Sequence, residues 1–215
     1  MYFVTYAIIA VTVVVSYLCF GDDELRGRLR HSPYAEHRGG GLYRLLTSGF
    51  VHADWVHLGV NMFVFYSFGR FTEAELSGYG FVSDYGFGPT LGPVMFLVLC
   101  LATVVSAKLG TYWSQRDNPH YAAVGASGAV SGATFCFVLF LPWESIYLYA
   151  VLPIPSIVAG VLFLVYSQYA DKRSGDNVDH SAHFFGALAM PALLLLLRPG
   201  LIGHFLTQLT QNGPW

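Results

Sequence analysis

Residues 121–141 read YAAVGASGAVSGATFCFVLFL, a stretch with no charged side chain. A helix needs about 20 apolar residues to cross a hydrocarbon core roughly 30 Å thick, and this stretch supplies them. It also opens on a polar group, Ser127, set between Gly125 and Gly128. The fold turns on whether this is one buried helix in a soluble core or one of several membrane spans.

Outward from it the same pattern repeats. Charged residues make up 11% of the 215-residue chain and hydrophobic ones 54%, whereas about a quarter of an ordinary soluble domain is charged. The charges are bunched, with nine between Asp22 and Arg44 and almost none in 2–20, 55–69, 85–107, 118–143, 145–170 and 181–197. A soluble protein can hide one all-apolar helix but not this series. The pattern predicts an all-α membrane protein with one domain over 1–215 and six spans, near 2–20, 55–69, 91–113, 121–141, 155–170 and 181–197. The first apolar run lacks a preceding Lys or Arg and a following small-x-small site, so it reads as a retained span rather than a signal peptide. Cys19, Cys100 and Cys136 sit singly in apolar runs and read as packing residues. A net charge of -2 gives no sign of a nucleic-acid partner.

Between the spans, 21–46 is a long polar connection, of the kind that is functional or disordered. Prolines at 142, 153 and 155 break an apolar stretch into a short interfacial loop, and 171–179 reads as a polar loop. Arg198, Pro199 and Gly200 end the sixth span. The connections after spans one, three and five hold Arg26, Arg28, Arg30, Arg38, Arg44, Lys108, Arg116, Lys172 and Arg173, and the other side holds Arg70 and Arg198. The positive-inside rule places the richer side in the cytoplasm.

Polar groups within apolar spans are costly and mark candidate sites. His57 and Asn61 are four apart on one face of span two, while His52 lies five residues before His57 and points elsewhere. Span four brings Ser127 and span six His183. Singly, each has an ordinary use: a serine bonds its own backbone, Gly128 and Gly132 form a small-xxx-small seam, an asparagine joins helices, and histidines relay protons. Together they match acyl transfer. A serine hydroxyl needs a base, imidazole is the base nearest neutrality, and the developing oxyanion needs fixed donors. Asn61, His57 and the Ser127 N–H could donate, and Gly125 and Gly128 would let a substrate backbone approach. A transporter with His57, Asn61 and His183 as a proton path is a rival reading, but it leaves the glycines around Ser127 without a role.

The stretches LYRLLTSGFVHADWVHLGVNM (42–62), GASGAVSG (125–132) and SAHFFGALA (181–189) resemble the rhomboid family of intramembrane serine proteases. The resemblance implies a six-span bundle with a water-filled cavity below one membrane face. It implies Ser127 as nucleophile, His183 as general base, and His57 and Asn61 as oxyanion donors beside the Ser127 amide. It further implies His52 and Glu73 as supports of the first loop and Arg44 as partner of Tyr43. Three positions depart from the family pattern: Tyr43 replaces a tryptophan, Ser131 replaces an aromatic packed on the catalytic imidazole, and Met190 replaces the second small residue of a Gly-x3-Gly seam. Asp179, four residues before His183, is left outside a Ser-His dyad, and His180 reads as a solvated loop residue.

The family implies no metal or organic cofactor. The implied substrates are transmembrane proteins, cut near a helix end, in a lipid setting. An inactive relative that binds transmembrane segments is the alternative. The expected location is the plasma membrane of a prokaryote, with the N-terminus inside and the site outside, opposite to the Lys and Arg count.

Overall fold

The computed structural model describes residues 2–148, 151–173, 179–211 and 213. Long helices form where the charge-free stretches fall: α1 (Phe3–Phe20), α5 (Trp55–Leu76), α6 (Gly88–Gln115), α7 (Ser127–Phe140), α8 (Ser156–Arg173) and α9 (His180–Leu197). The first connection holds three short helices, α2 (Asp23–Leu29), α3 (Pro33–His37) and α4 (Arg44–Thr47), and α10 (Gly200–Gln211) follows the sixth long helix. The all-α membrane bundle expected from the sequence is the observed architecture. Phe3–Phe20, Gly88–Gln115 and His180–Leu197 are long and apolar enough to cross a membrane, and Ser127–Phe140 and Ser156–Asp171 are shorter apolar helices.

Several boundaries differ from expectation, each for a local reason. The second helix runs past 69 to Leu76 because its late carboxylates find backbone donors. Glu75 accepts from the Phe81 and Val82 N–H groups at 2.8 Å each. The 142–155 segment is an antiparallel hairpin rather than a plain loop, with β1 (Ser145–Leu148) paired to β2 (Leu152–Pro155) in the register Ser145 with Pro155. Extended proline dipeptides suit its edge. Of the expected 171–179 loop, Asp171 continues α8 and Asp179 caps α9, while 174–178 lie outside the described residues.

The first connection is ordered by side chains that replace missing backbone partners. Buried His31 Nδ1 lies 2.9 Å from Glu36 Oε1, which also accepts from the Ser32 N–H at 2.8 Å. Thr47 Oγ1 donates to the Leu29 carbonyl at 2.9 Å. The backbone of His31 exchanges two 3.0 Å hydrogen bonds with Ala123, so the loop is zipped to the segment that leads into α7.

α7 starts six residues later than the span expected at 121–141, because 121–126 is spent on that pairing and on a turn at Gly125, φ +125°. At 1.5 Å per residue, the 14 residues of α7 span only about 21 Å, short of a hydrocarbon core. Gly128 is level with Ala107, since a Cβ at Gly128 would sit 2.6 Å from the Ala107 side chain. Ala107 lies eight residues before the end of α6, so α7 begins about 12 Å beneath that end.

α7 and α9 make the most extensive helix pair. Their crossing point is Gly128 against Gly186, where a Cβ on Gly186 would stand 2.5 Å from Gly128 Cα. Met190, the departure in span six, packs into the seam. It is fully buried, and its Cβ fills the space beside Gly132, 2.8 Å from where a Gly132 Cβ would be. A larger residue on α9 is offset by a missing one on α7, which keeps the interface close-packed.

Candidate active site

Ser127 is the first residue of α7, so its own N–H is one of the helix-start donors that have no partner within the helix. The positive end of the helix dipole points the same way. Gly125, in a backbone conformation that side chains rarely adopt, turns the chain into this position. A Cβ at Gly125 would lie 3.0 Å from His57 Nε2 and 3.8 Å from Ser127 Oγ. The imidazole of α5 and the hydroxyl of α7 therefore border one small space, kept open by the absent side chain. Both residues are half-buried.

His57 is oriented at two points. Its N–H donates to the Asp54 carboxylate, which caps α5, at 2.8 Å. Its ring Nδ1 accepts a long 3.5 Å contact from the Ala53 N–H, which assigns the ring proton to Nε2, the nitrogen facing Gly125. Asn61 is buried, and its amide donates to the His57 carbonyl at 2.9 Å. That bond uses one of its two N–H groups.

His52 packs edge-on to His57, ring centres 4.9 Å apart, and ties three segments together. Its Nε2 accepts from the Ala126 N–H at 3.4 Å, so Nδ1 carries the proton and meets Ser16 Oγ at 3.0 Å. Ser16 in turn donates to the Phe50 carbonyl at 2.9 Å. Burial first, and the neighbouring His57 second, push the His52 ring down to about 3, so it stays neutral in this role.

Glu73 is placed elsewhere than the first loop. It is buried at the other end of α5 and accepts from the Val4 N–H at 2.9 Å, the Thr5 N–H at 2.8 Å and Thr5 Oγ1 at 2.6 Å. These are the unpaired donors of a helix start, so the carboxylate caps α1 from a neighbouring helix. Arg44 opens α4 with its guanidinium 6.0 Å from the Tyr43 ring centre.

His183 is one turn before Gly186, on the helix that crosses α7 at Gly128. Its ring lies nearly parallel to Phe163 of α8, centroids 6.1 Å apart. The aromatic neighbour missing at Ser131, which is buried in α7, comes instead from a different helix. His180 is not solvated: it is buried in the first turn of α9, edge-on to His183 at 5.8 Å and to Tyr166 at 5.7 Å. Among the described residues no hydrogen bond joins Ser127 Oγ to the His183 ring. Such bonds are often long in an empty site and tighten with substrate.

The sequence reading missed Phe163, which carried no local signal, and two further residues that bear on His183. Lys108, counted above as a loop charge, is buried within α6 at 1% exposure, and Asp179 is the buried cap of α9. A lone cation inside an apolar span was itself a signal. A separate recess of about 550 Å³ lies between α6, α8 and α9, lined among others by Trp113, Ser167 and Phe185. None of Ser127, His183, His57 or Asn61 borders it.

The Rhomboid domain model matches residues 39–199. The chain is 31% identical over 178 residues to Rhomboid-like protein 11, chloroplastic, of Arabidopsis thaliana, covering 77% of this chain and 56% of that protein. It is 26% identical over 163 residues to RHOMBOID-like protein 12, mitochondrial, of the same plant, covering 76% and 48%. Rhomboid protein 1, mitochondrial, of Saccharomyces cerevisiae is 27% identical over 152 residues, covering 67% and 38%. The chain thus spans about half the length, or less, of these curated relatives.

Proposed function

The chain belongs to the rhomboid family, and from that premise we propose that it is an intramembrane serine endopeptidase acting on transmembrane proteins near a helix end. The observation that carries the reading is the shared space at Gly125, which the Ser127 hydroxyl and the His57 Nε2 both border at the unpaired start of α7. In this reading His183 takes the Ser127 proton as the hydroxyl attacks a carbonyl carbon and returns it to the leaving amine. The oxyanion forms against the Ser127 N–H, His57 Nε2–H and the remaining N–H of Asn61. A helical substrate hides its carbonyls in hydrogen bonds, so cleavage requires a segment that unwinds, which favours small or helix-breaking residues near a helix end. No step calls for a metal or organic cofactor.

The alternative, an inactive relative that holds transmembrane segments, is favoured by one observation: the absence of a Ser127–His183 hydrogen bond among the described residues. The two readings part on a simple assay. Purified protein in detergent is given a labelled transmembrane substrate, and in parallel a fluorophosphonate probe. Cleavage and labelling that vanish in Ser127→Ala support the protease, and cleavage equal in both proteins removes Ser127 as nucleophile. A multi-pass membrane location follows from the family and the helices. The finer expectation of a prokaryotic plasma membrane gains no support from the relatives, whose names place them in mitochondria or chloroplasts.

A further inference from the structure

A buried ion pair lies directly behind the α7–α9 crossing. Lys108 Nζ is 3.0 Å from Asp179 Oδ2, and both side chains are nearly inaccessible. The other carboxylate oxygen accepts from Thr111 Oγ1 at 2.8 Å and from the Ala182 N–H at 2.9 Å. The Asp179 carbonyl accepts from the His183 N–H at 3.2 Å. One residue therefore holds the first turn of α9 by main chain and side chain together, and fastens it to α6 through two side chains a turn apart.

The location ties this pair to the site. Ala107, next to Lys108, is the residue that meets Gly128. Lys108 lies within electrostatic reach of His52, His57 and His183. Tyr121, four residues before Gly125, faces the same cluster, and its phenol is pushed up by burial first and the Asp179 charge next. Burial alone would raise the Asp179 carboxyl, but Lys108, followed by the Ala182 N–H and the Thr111 hydroxyl, holds it below the usual range. The carboxylate is thus anionic and Lys108 has its counter-charge.

Stability is a poor explanation for such a pair. Removing two charges from water costs several kcal/mol per ion, and apolar residues of similar volume serve as well or better in many cores. What an ion pair supplies beyond apolar packing is a defined geometry. Here the defined element is the turn that carries His183.

We propose that Lys108 and Asp179 are positioning residues, a buried clamp that sets the His183 imidazole against Ser127. The proposal rests on the protease reading for its catalytic consequence, while the clamping itself can be measured without it. The full chain in detergent micelles is compared with Asp179→Asn, Lys108→Met and the double variant, in which no unpaired charge is left. Amide hydrogen exchange over 180–186 is expected to speed at least about tenfold in both single variants, with the later amides of α7 unchanged. kcat on a transmembrane substrate is expected to fall about 10- to 100-fold with KM within about twofold, the scale of a small misplacement of a catalytic group.

The double variant is expected to regain the wild-type melting temperature but to stay at least about tenfold low in kcat. A role in stability alone would instead return kcat along with folding, and that result overturns the clamp. Unchanged exchange over 180–186 in the double variant overturns it as well, even if a single variant fails to fold. Wild-type protein that neither cleaves nor labels with a fluorophosphonate would sink the protease reading, and the exchange measurement would still decide the clamp.

Discussion

Gly186→Ala tests the geometry at its tightest point. The new Cβ would stand 2.5 Å from Gly128 Cα and 2.7 Å from its carbonyl carbon, with the carbonyl oxygen closer still. These are backbone atoms at the start of α7, so no side chain can swing away to make room. Restoring an ordinary contact of about 3.4 Å requires the two helices to part by about 1 Å. Overpacking of this kind costs about 1–3 kcal/mol. The contact lies one turn from His183 and one residue from Ser127, so in the protease reading the same shift moves the proposed base and nucleophile apart, which at about 1 Å lowers rates by about 100-fold. Gly160→Ala is the control: its Cβ would meet Val138 at 3.5 Å, an ordinary contact, and losing a helical glycine is worth roughly 0.5–1 kcal/mol of stability. Cleavage of a labelled transmembrane substrate in proteoliposomes, with thermal unfolding of the same samples, reads both effects. A Gly186→Ala protein that melts like wild type and cleaves within about threefold of it would refute the close crossing and the dependence of the site on it.

Two further outcomes follow from buried groups. His52 titrates near 3 when folded, below its ordinary value of 6.5, so the unfolded chain binds the extra proton more readily and folding stability declines as pH falls from about 6.5 towards 3. Chemical denaturation between pH 4 and 7 should show that slope, and His52→Gln should flatten it by an amount on the order of a few kcal/mol; equal slopes would rule out the neutral ring described above. Glu73→Gln keeps the shape but turns an amide donor towards the Val4 and Thr5 N–H groups, leaving buried donors unsatisfied at about 1–3 kcal/mol each. Exchange of the first α1 amides should accelerate while cleavage holds, since Glu73 lies 16 residues, about 24 Å, along α5 from His57; unchanged exchange would contradict the cap.

The sequence made the membrane bundle legible because the bilayer imposes a length and a polarity that any chain must display. It made Ser127, His57, Asn61 and His183 stand out for the same reason, since each is a polar group in an apolar run. What it could not display were relations between distant segments. The late start of α7 depends on Ala123 pairing with His31, some ninety residues earlier, and nothing local to 121–126 forbids a helix there. Resemblance alone places Glu73 with the first loop, whereas the donors it meets are those of Val4 and Thr5. Phe163 standing in for the aromatic lost at Ser131 is a swap between helices that no single-helix pattern records. Lys108 is different: its position inside an apolar run was visible, and counting it with the loops hid the one buried cation of the 91–113 stretch.

The depth at which α7 begins has a consequence for the lipid. The level of Ser127 is fixed by protein contacts, Gly128 against Ala107, and not by the membrane surface. In the protease reading, longer acyl chains would raise that surface while the hydroxyl stays where it is, lengthening the path by which water must reach it. Turnover would then decline as the lipid tails lengthen, and the scissile bond would be chosen by its distance along the substrate from the headgroups as much as by the side chains beside it.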